Sequence, residues 1–214
     1  MQAIIEFFEV GGIWMYFILA VGVFSLAIML ERIVVLYGSV SVDKEKFIAQ
    51  VQRAILAGDL NAAVNFCNQR SSPMSNIIRA GLVSVMNKGT EEEIQTSMDV
   101  SALKEIPRIE KRTPYLALLG NVATLVGLLA TIMGMIKAFQ SVAGTEPDKK
   151  AALLASGISE AMHGTAFGLV VAIPTLLMSA VLTSRTQSIL DDVHEVSVAT
   201  LNLILRNRDK FPAR

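Results

Sequence analysis

The chain has 214 residues, 52% of them apolar and only 18% charged, with a mean hydropathy of +0.51. An ordinary water-soluble domain carries about 25% charge, so part of this surface is expected to face lipid. Equal numbers of basic and acidic residues (19 of each) remove any whole-chain electrostatic case for a nucleic-acid partner, and a lone cysteine, Cys67, excludes an internal disulfide or a cysteine-built metal cage.

The first predicted element is a membrane helix within residues 1–37. Residues 10–30 carry no charge and close on Glu31 and Arg32, which is long enough to cross about 30 Å of hydrocarbon. A cleaved signal peptide would need Lys or Arg ahead of the apolar run and a small-residue cleavage site behind it. The sequence offers neither, so a retained helix is expected.

Residues 38–112 read as a helical region. Phe47, Val51, Ala54 and Ile55 share one helical face, and Gly58-Asp59 supplies a stop and a turn. A helix restarts over Leu60 to Cys67 and breaks at Ser71-Ser72-Pro73. Ile77, Ile78, Leu82 and Val85 form the next apolar stripe, which ends at Asn87-Lys88-Gly89. Thr90 followed by Glu91, Glu92 and Glu93 reads as an N-cap with acids in the first turn, a solvated helix start rather than a docking patch. This helix is expected to run toward the second span with an interruption or kink at Pro107 and Pro114.

The second span is placed at 113–140, charge-free over 113–136. A short connection is expected at 141–159, the third span at 160–185 (charge-free over 161–184), and a helical tail at 186–214. Behind the third span, Ile189, Val193, Val196, Thr200, Leu203 and Ile204 continue one helical stripe. The second and third spans are therefore expected to continue as long helices into the polar region.

Basic residues fix the orientation, because loops rich in Lys and Arg stay inside. No Lys or Arg precedes the first span. Arg32, Lys44, Lys46, Arg53, Arg70, Arg79, Lys88, Lys104, Arg108, Lys111 and Arg112 fill the first loop, and Arg185, Arg206, Arg208, Lys210 and Arg214 follow the third span. The N-terminus is expected on the periplasmic side, with 38–112 and the tail in the cytoplasm.

A helix that only faces lipid can be Leu, Ile, Val and Phe throughout, and the second and third spans are not. Asn121, Thr124, Leu128, Thr131 and Met135 recur at spacings of three and four, and Gly120, Gly127 and Gly134 repeat every seven residues on a neighbouring face. The third span has its own small and polar stripe at Thr165, Gly168, Ala172, Thr175, Ser179 and Leu182-Thr183. Such stripes serve helix packing or a wet pore wall, and composition leaves both open.

Glu160 and His163 stand at the outer end of the third span, where an ionisable group is a functional candidate by default. Glu160 can also snorkel to water, and His163 can be a neutral imidazole held by a backbone carbonyl. Five residues separate Glu160 from Thr165, roughly 140° of rotation, so the two are not on one face. No Asp or Glu falls at the middle of any span. A proton path through these helices would need its carboxylate from another polypeptide. No phosphate loop, paired metal ligands or nucleophile with a neighbouring base points to an enzyme or a cofactor.

Residues 123–136 read A-T-L-V-G-L-L-A-T-I-M-G-M-I, followed by Ala138 and Phe139, and residues 157–174 read G-I-S-E-A-M-H-G-T-A-F-G-L-V-V-A-I-P. These runs resemble the second- and third-span motifs of the MotA/TolQ/ExbB proton channel family, and the three-span order extends the resemblance over nearly the whole chain. Thr124 stands where the family usually has Pro, Ala130 where it has Gly, and His163-Gly164 where it has Val-Thr or Thr-Thr.

The resemblance implies an all-α, three-span membrane protein of the bacterial inner membrane, a homopentamer around a pore. Its partner would be an ExbD/TolR-like single-span protein with an intramembrane Asp, with a TonB/TolA-like protein beyond it. Thr131 and Thr165 would face that Asp on the ion path, with Glu160, His163 and Thr124 near it. Gly127, Gly134, Gly168, Ala172, Pro174, Thr175 and Ser179 would pack helices or line the pore. Protons would drive the motor, with sodium the alternative ion. The ExbB/TolQ branch fits better than the longer, four-span MotA type. A non-conducting scaffold is the competing reading from another class, and a small-molecule transporter is disfavoured because no inverted repeat is visible.

Overall fold

The computed structural model describes residues 8, 11–39, 44–69, 72–143 and 146–211. Val10, Arg70, Ser71 and Arg214, named above, lie outside them. The described elements are helical: α1 (Ile13–Val34), a π-helical turn (Val35–Ser39), α2 (Lys44–Leu56), α3 (Leu60–Gln69), α4 (Pro73–Met86), α5 (Glu91–Glu110), α6 (Thr113–Val142), α7 (Pro147–Arg206) and a 3-10 turn (Arg208–Lys210). Three of the helical stretches are long and apolar enough to cross a membrane, Ile13–Gly38, Glu91–Val142 and Asp148–Arg206. The chain forms two compact units, one of Met1–Arg32 with Arg112–Leu182 and the other of Ile33–Lys111 with Thr183–Arg214.

The first unit holds the apolar helices. Most side chains there are not buried by the chain itself: Phe24, Leu125, Phe139, Val170 and Leu177 are each more than half exposed. Lipid, or another protein surface, is the solvent such residues require. The unit fully buries a few large side chains, Met15, Ile18, Leu116 and Leu182, and a line of small residues described below with the site.

The second unit has an ordinary hydrophobic core. Phe47, Val51 and Ile55 of α2, Ala63 and Cys67 of α3, Ile77, Ile78 and Leu82 of α4, Ile94 and Met98 of α5, and Val193, Val196 and Ile204 of α7 pack into one cluster. These are the apolar stripes read from spacing, and each large side chain fully buried contributes about 1.5–3 kcal/mol. Lys44 ties the head of α2 to α7 through Asp192 (2.9 Å) and Glu195 (2.5 Å). Those two carboxylates, Glu195 first, hold the Lys44 ammonium above its ordinary pKa. Burial pushes the Cys67 thiol up to about 11. Since the thiolate is the nucleophile, about 0.1% of the thiol is reactive at pH 8. Maleimide labelling of the folded protein at that pH is therefore expected to run at least 100-fold slower than after unfolding; equal rates would contradict the buried placement.

The turns follow local chemistry. Gly58 takes a positive φ of 77°, and the Asp59 amide reaches back to the Ala54 carbonyl (3.0 Å), a glycine-closed helix end. Asp59 Oδ1 then accepts the Ala62 amide, opening α3. Ser72 caps α4 by accepting the Ser75 amide at 3.2 Å, with Pro73 in the first turn. Thr90 and Glu93 form a reciprocal capping box at the head of α5. Thr90→Ala removes one half of it and is expected to cost about 1 kcal/mol, read as a lower denaturation midpoint. An unchanged midpoint would show that the box carries no weight in this core.

One expectation is corrected. Pro107 does not interrupt α5, which runs through it to Glu110; the break comes at Lys111 and Arg112, where Arg112 adopts a left-handed φ of 68°. Leu103, whose carbonyl loses its helical donor to Pro107, is 74% exposed and so can be solvated. Pro114 sits in the first turn of α6, where a missing N–H costs nothing. Arg112 also pairs with Glu31, which binds Arg32 at 3.2 Å, so an ion cluster fixes this turn against the end of α1. The 141–159 connection is helical from Pro147 onward. The end of a charge-free run marks where polarity returns, not where a helix ends, and residues 151–155 are good helix formers.

Candidate functional site: a glycine and alanine seam bridged by two threonines

Within the first unit, α6 and α7 run antiparallel along a line of small residues. Gly120, Ala123, Gly127, Ala130, Gly134 and Ala138 of α6 are all buried, as are Ala161, Gly164, Gly168 and Ala172 of α7. Backbone meets backbone here. A Cβ built on Gly168 would stand 2.8 Å from the Ala123 carbonyl oxygen and 3.1 Å from the Gly127 Cα. One on Gly127 would stand 3.2 Å from the Gly164 carbonyl oxygen and 3.3 Å from the Gly168 and Thr165 Cα atoms. Lipid tails are as apolar as Leu, so membrane helices gain association from van der Waals contact at such close approach. The heptad glycines of α6 are therefore one side of this seam.

Thr131 and Thr165 meet across it. Their hydroxyls share a hydrogen bond; Thr131 Oγ1 also lies 3.2 Å from the Gly127 carbonyl oxygen and 3.3 Å from that of Ala161, and Thr165 Oγ1 lies 3.1 Å from the Gly127 oxygen. Each hydroxyl holds one proton and two lone pairs. The Thr131 proton thus has three acceptors to choose from, the two carbonyls and the opposite hydroxyl, and the Thr165 proton has two, the Gly127 carbonyl and the Thr131 hydroxyl. Such a pair can pass a hydrogen bond along by rotation, but it does not titrate near neutral pH. It can hand a proton on only if a titratable group delivers and removes it. Both threonines are half-buried.

The other positions divide. Thr124 donates to its own helix at the Gly120 carbonyl (3.2 Å) and is half-buried. Gly127, Gly134, Gly168 and Ala172 lie in the seam, whereas Pro174 is exposed and outside it. Thr175 turns away toward α1: it is buried, donates to the Val171 carbonyl (2.7 Å), and has its Oγ1 3.3 Å from Ser25 Oγ. Ser25 in turn donates to the Gly22 carbonyl at 2.8 Å. α1 is thus attached to α7 by a polar contact, and Ser25 is only 3% exposed. Ser179 is buried and Thr183 is exposed.

Glu160 is paired. Lys137 of α6 places its Nζ 3.2 and 3.4 Å from the two carboxylate oxygens, joining the helices one turn beyond the Gly134–Ala161 contact. Sequence reasoning missed this bond; the signal was available, since Lys137 is the first charge after the run 113–136 and Glu160 the last before the run 161–184. His163 Nδ1 lies 2.6 Å from the Ser159 carbonyl oxygen, so Nδ1 carries a proton and the ring is tethered to its own helix.

Residues 69–195 match the family model described as the MotA/TolQ/ExbB proton channel family, a stretch that contains α4, α5, the whole seam and both threonines. The chain belongs to that family. A Synechocystis protein named as ExbB-like is 26% identical over 175 residues, covering 81% of this chain and 82% of its own length. The Tol-Pal system protein TolQ of Haemophilus influenzae is 36% identical over 107 residues, 49% of this chain and 44% of that protein. Among solved structures, one titled "Structure of C. jejuni MotAB" superposes with a TM-score of 0.52 at 14% identity, covering 96% of this chain and 86% of its counterpart. That likeness shows the fold. This MotA/TolQ/ExbB-family chain is a helical membrane protein with three candidate spans, and its family is one of channel and transport proteins.

Proposed function

We propose that this chain is the ion-conducting subunit of an inner-membrane motor that turns proton flow into mechanical work in the cell envelope. The observation that carries the reading is the Thr131–Thr165 pair. Two hydroxyls bridge a tightly packed helix seam inside two spans that carry no carboxylate at their middle, where 113–136 and 161–184 are free of charge. That arrangement can relay a proton but cannot bind one, and it makes functional sense beside an acidic side chain from another chain. The partner is a single-span protein of the ExbD/TolR kind with an Asp in its span. Five copies of this chain would surround two copies of the partner, with the N-terminus outside and the second unit inside, as the distribution of Lys and Arg favours. The exposed apolar faces of α6 and α7 would then meet neighbouring copies, the partner helix or lipid. Protons are the coupling ion on family grounds, and a TonB/TolA-like protein would receive the work.

Native mass spectrometry after co-expression with an ExbD/TolR-like single-span protein tests the assembly. The expected species has five copies of this chain and two of the partner. A chain that extracts only alone, or only with a soluble protein, would overturn the reading.

A further inference from the structure

The Lys137–Glu160 bond is the rim of a cavity. About 500 Å³ of space lies between the head of α1 and the near ends of α6 and α7, lined by Gly11, Gly12 and Trp14 on one side and by Met133, Lys137 and Glu160 on the other, with Ala130 at its floor. A liquid water takes about 30 Å³, so there is room for a file of several. The lining along α6 runs from Gln140 to Ala130, ten residues or about 15 Å of helix, half of the ~30 Å hydrocarbon thickness. Ala130, the lining residue farthest from Gln140 along α6, packs its methyl on Gly164 and is followed in the chain by Thr131, which does not itself line the space.

The rim makes this cavity wet rather than lipid-filled: it carries a carboxylate, an ammonium and the Gln140 amide, which give water the polar partners it needs. Its other side is the start of α1. Gly12 shapes this side: it has a positive φ of 67°, and a Cβ there would come within 3.2 Å of Glu160 Oε1. The neutralised rim also suits a cation, because Glu160 cancels the Lys137 charge that would repel it.

We propose that this cavity is a water-filled vestibule within a single copy of the chain, which admits the coupling cation from the Glu160 side and delivers it to the floor beside Thr131. This rests on the proposed function, and it places an entry route on the α1 side of the α6–α7 seam rather than in a central pore. Waters in the file carry a proton by exchanging hydrogen bonds, so no net bond is formed or lost along it.

The test is cysteine accessibility in the assembled complex, in a Cys67→Ala background, with charged, membrane-impermeant methanethiosulfonates applied from whichever side labels Gln140→Cys. Met133→Cys is expected to react at least tenfold faster than Ile132→Cys, which has the same depth on another face, and its modification is expected to lower ion flux at least fivefold. Lys137→Ala, which bares Glu160, is expected to raise the ratio of cationic to anionic reagent rates at Met133→Cys at least threefold. Equal rates at Met133→Cys and Ile132→Cys would mean that lipid fills the space and would overturn the proposal. Fast labelling without loss of flux would show a wet pocket off the route and would overturn it too, as would an unchanged charge ratio. The labelling rates do not depend on conduction, so a complex that assembles but carries no ions fails the functional reading separately.

Discussion

Gly168→Val is expected to abolish the folded first unit, while Gly38→Ala is tolerated. At Gly168 a Cβ would lie 2.8 Å from a backbone oxygen and 3.1 Å from a backbone Cα of the facing helix. No rotamer change relieves a contact with backbone, so the two helices must part, and every close contact along the seam weakens together. Overpacking typically costs 1–3 kcal/mol, and a backbone clash in a shared seam belongs at the upper end, about 3 kcal/mol. At Gly38 a Cβ meets nothing within 4 Å. Thermal unfolding in detergent, with the recovered monodisperse fraction, reads both. A Gly168→Val protein as stable as the wild type would show that α6 and α7 are not packed as described.

Thr131→Val and Thr165→Val are expected to stop coupled ion flow without unfolding the protein. Valine keeps the shape and removes only the hydroxyl. The Gly127 and Ala161 carbonyls keep their helical donors, and interhelical hydrogen bonds in membranes average about 0.6 kcal/mol, so assembly should survive. Flux should fall at least tenfold in either variant, because the chain of exchangeable hydrogen bonds then has a gap. Thr131→Ser restores the hydroxyl and should recover more than half of the flux. That rescue separates relay from packing, since serine packs worse than valine but still donates. Wild-type flux in both valine variants would reduce the threonine pair to a packing contact.

Much of this was legible before any coordinates. Period and capping chemistry are local, so the apolar stripes at Phe47–Ile55 and Ile77–Leu82, the Thr90 cap and the Gly58 turn are plain in the sequence. The heptad of Gly120, Gly127 and Gly134 is equally plain, and a close helix contact is one of the two uses such a stripe allows. What it meets is harder to read. Ala130, Ala161 and Gly164 look like ordinary members of apolar runs until an antiparallel register pairs them. Thr175 and Thr165 fall in one small and polar stripe by spacing, yet the first packs on Ser25 of α1 and the second on Thr131. A helix with neighbours on two sides distributes such a stripe between them, and spacing alone does not say where the division falls. The Lys137–Glu160 bond was missed for a related reason: Glu160 was read alone at the end of its span, and only the register of the seam sets Lys137 opposite it. Pro107 misled because a proline costs a hydrogen bond, not necessarily a helix, when the orphaned carbonyl is exposed.

The central claim is that this chain conducts ions only together with a partner that brings the missing carboxylate. The most direct measurement is proton flux into liposomes carrying the purified chain, with and without the single-span partner, under an imposed membrane potential and read by an internal pH dye. Flux is expected from the complex, at background level from this chain alone, and at background level when the partner's intramembrane Asp is changed to Asn. Equal flux with and without the partner, or none from the intact complex, would contradict it.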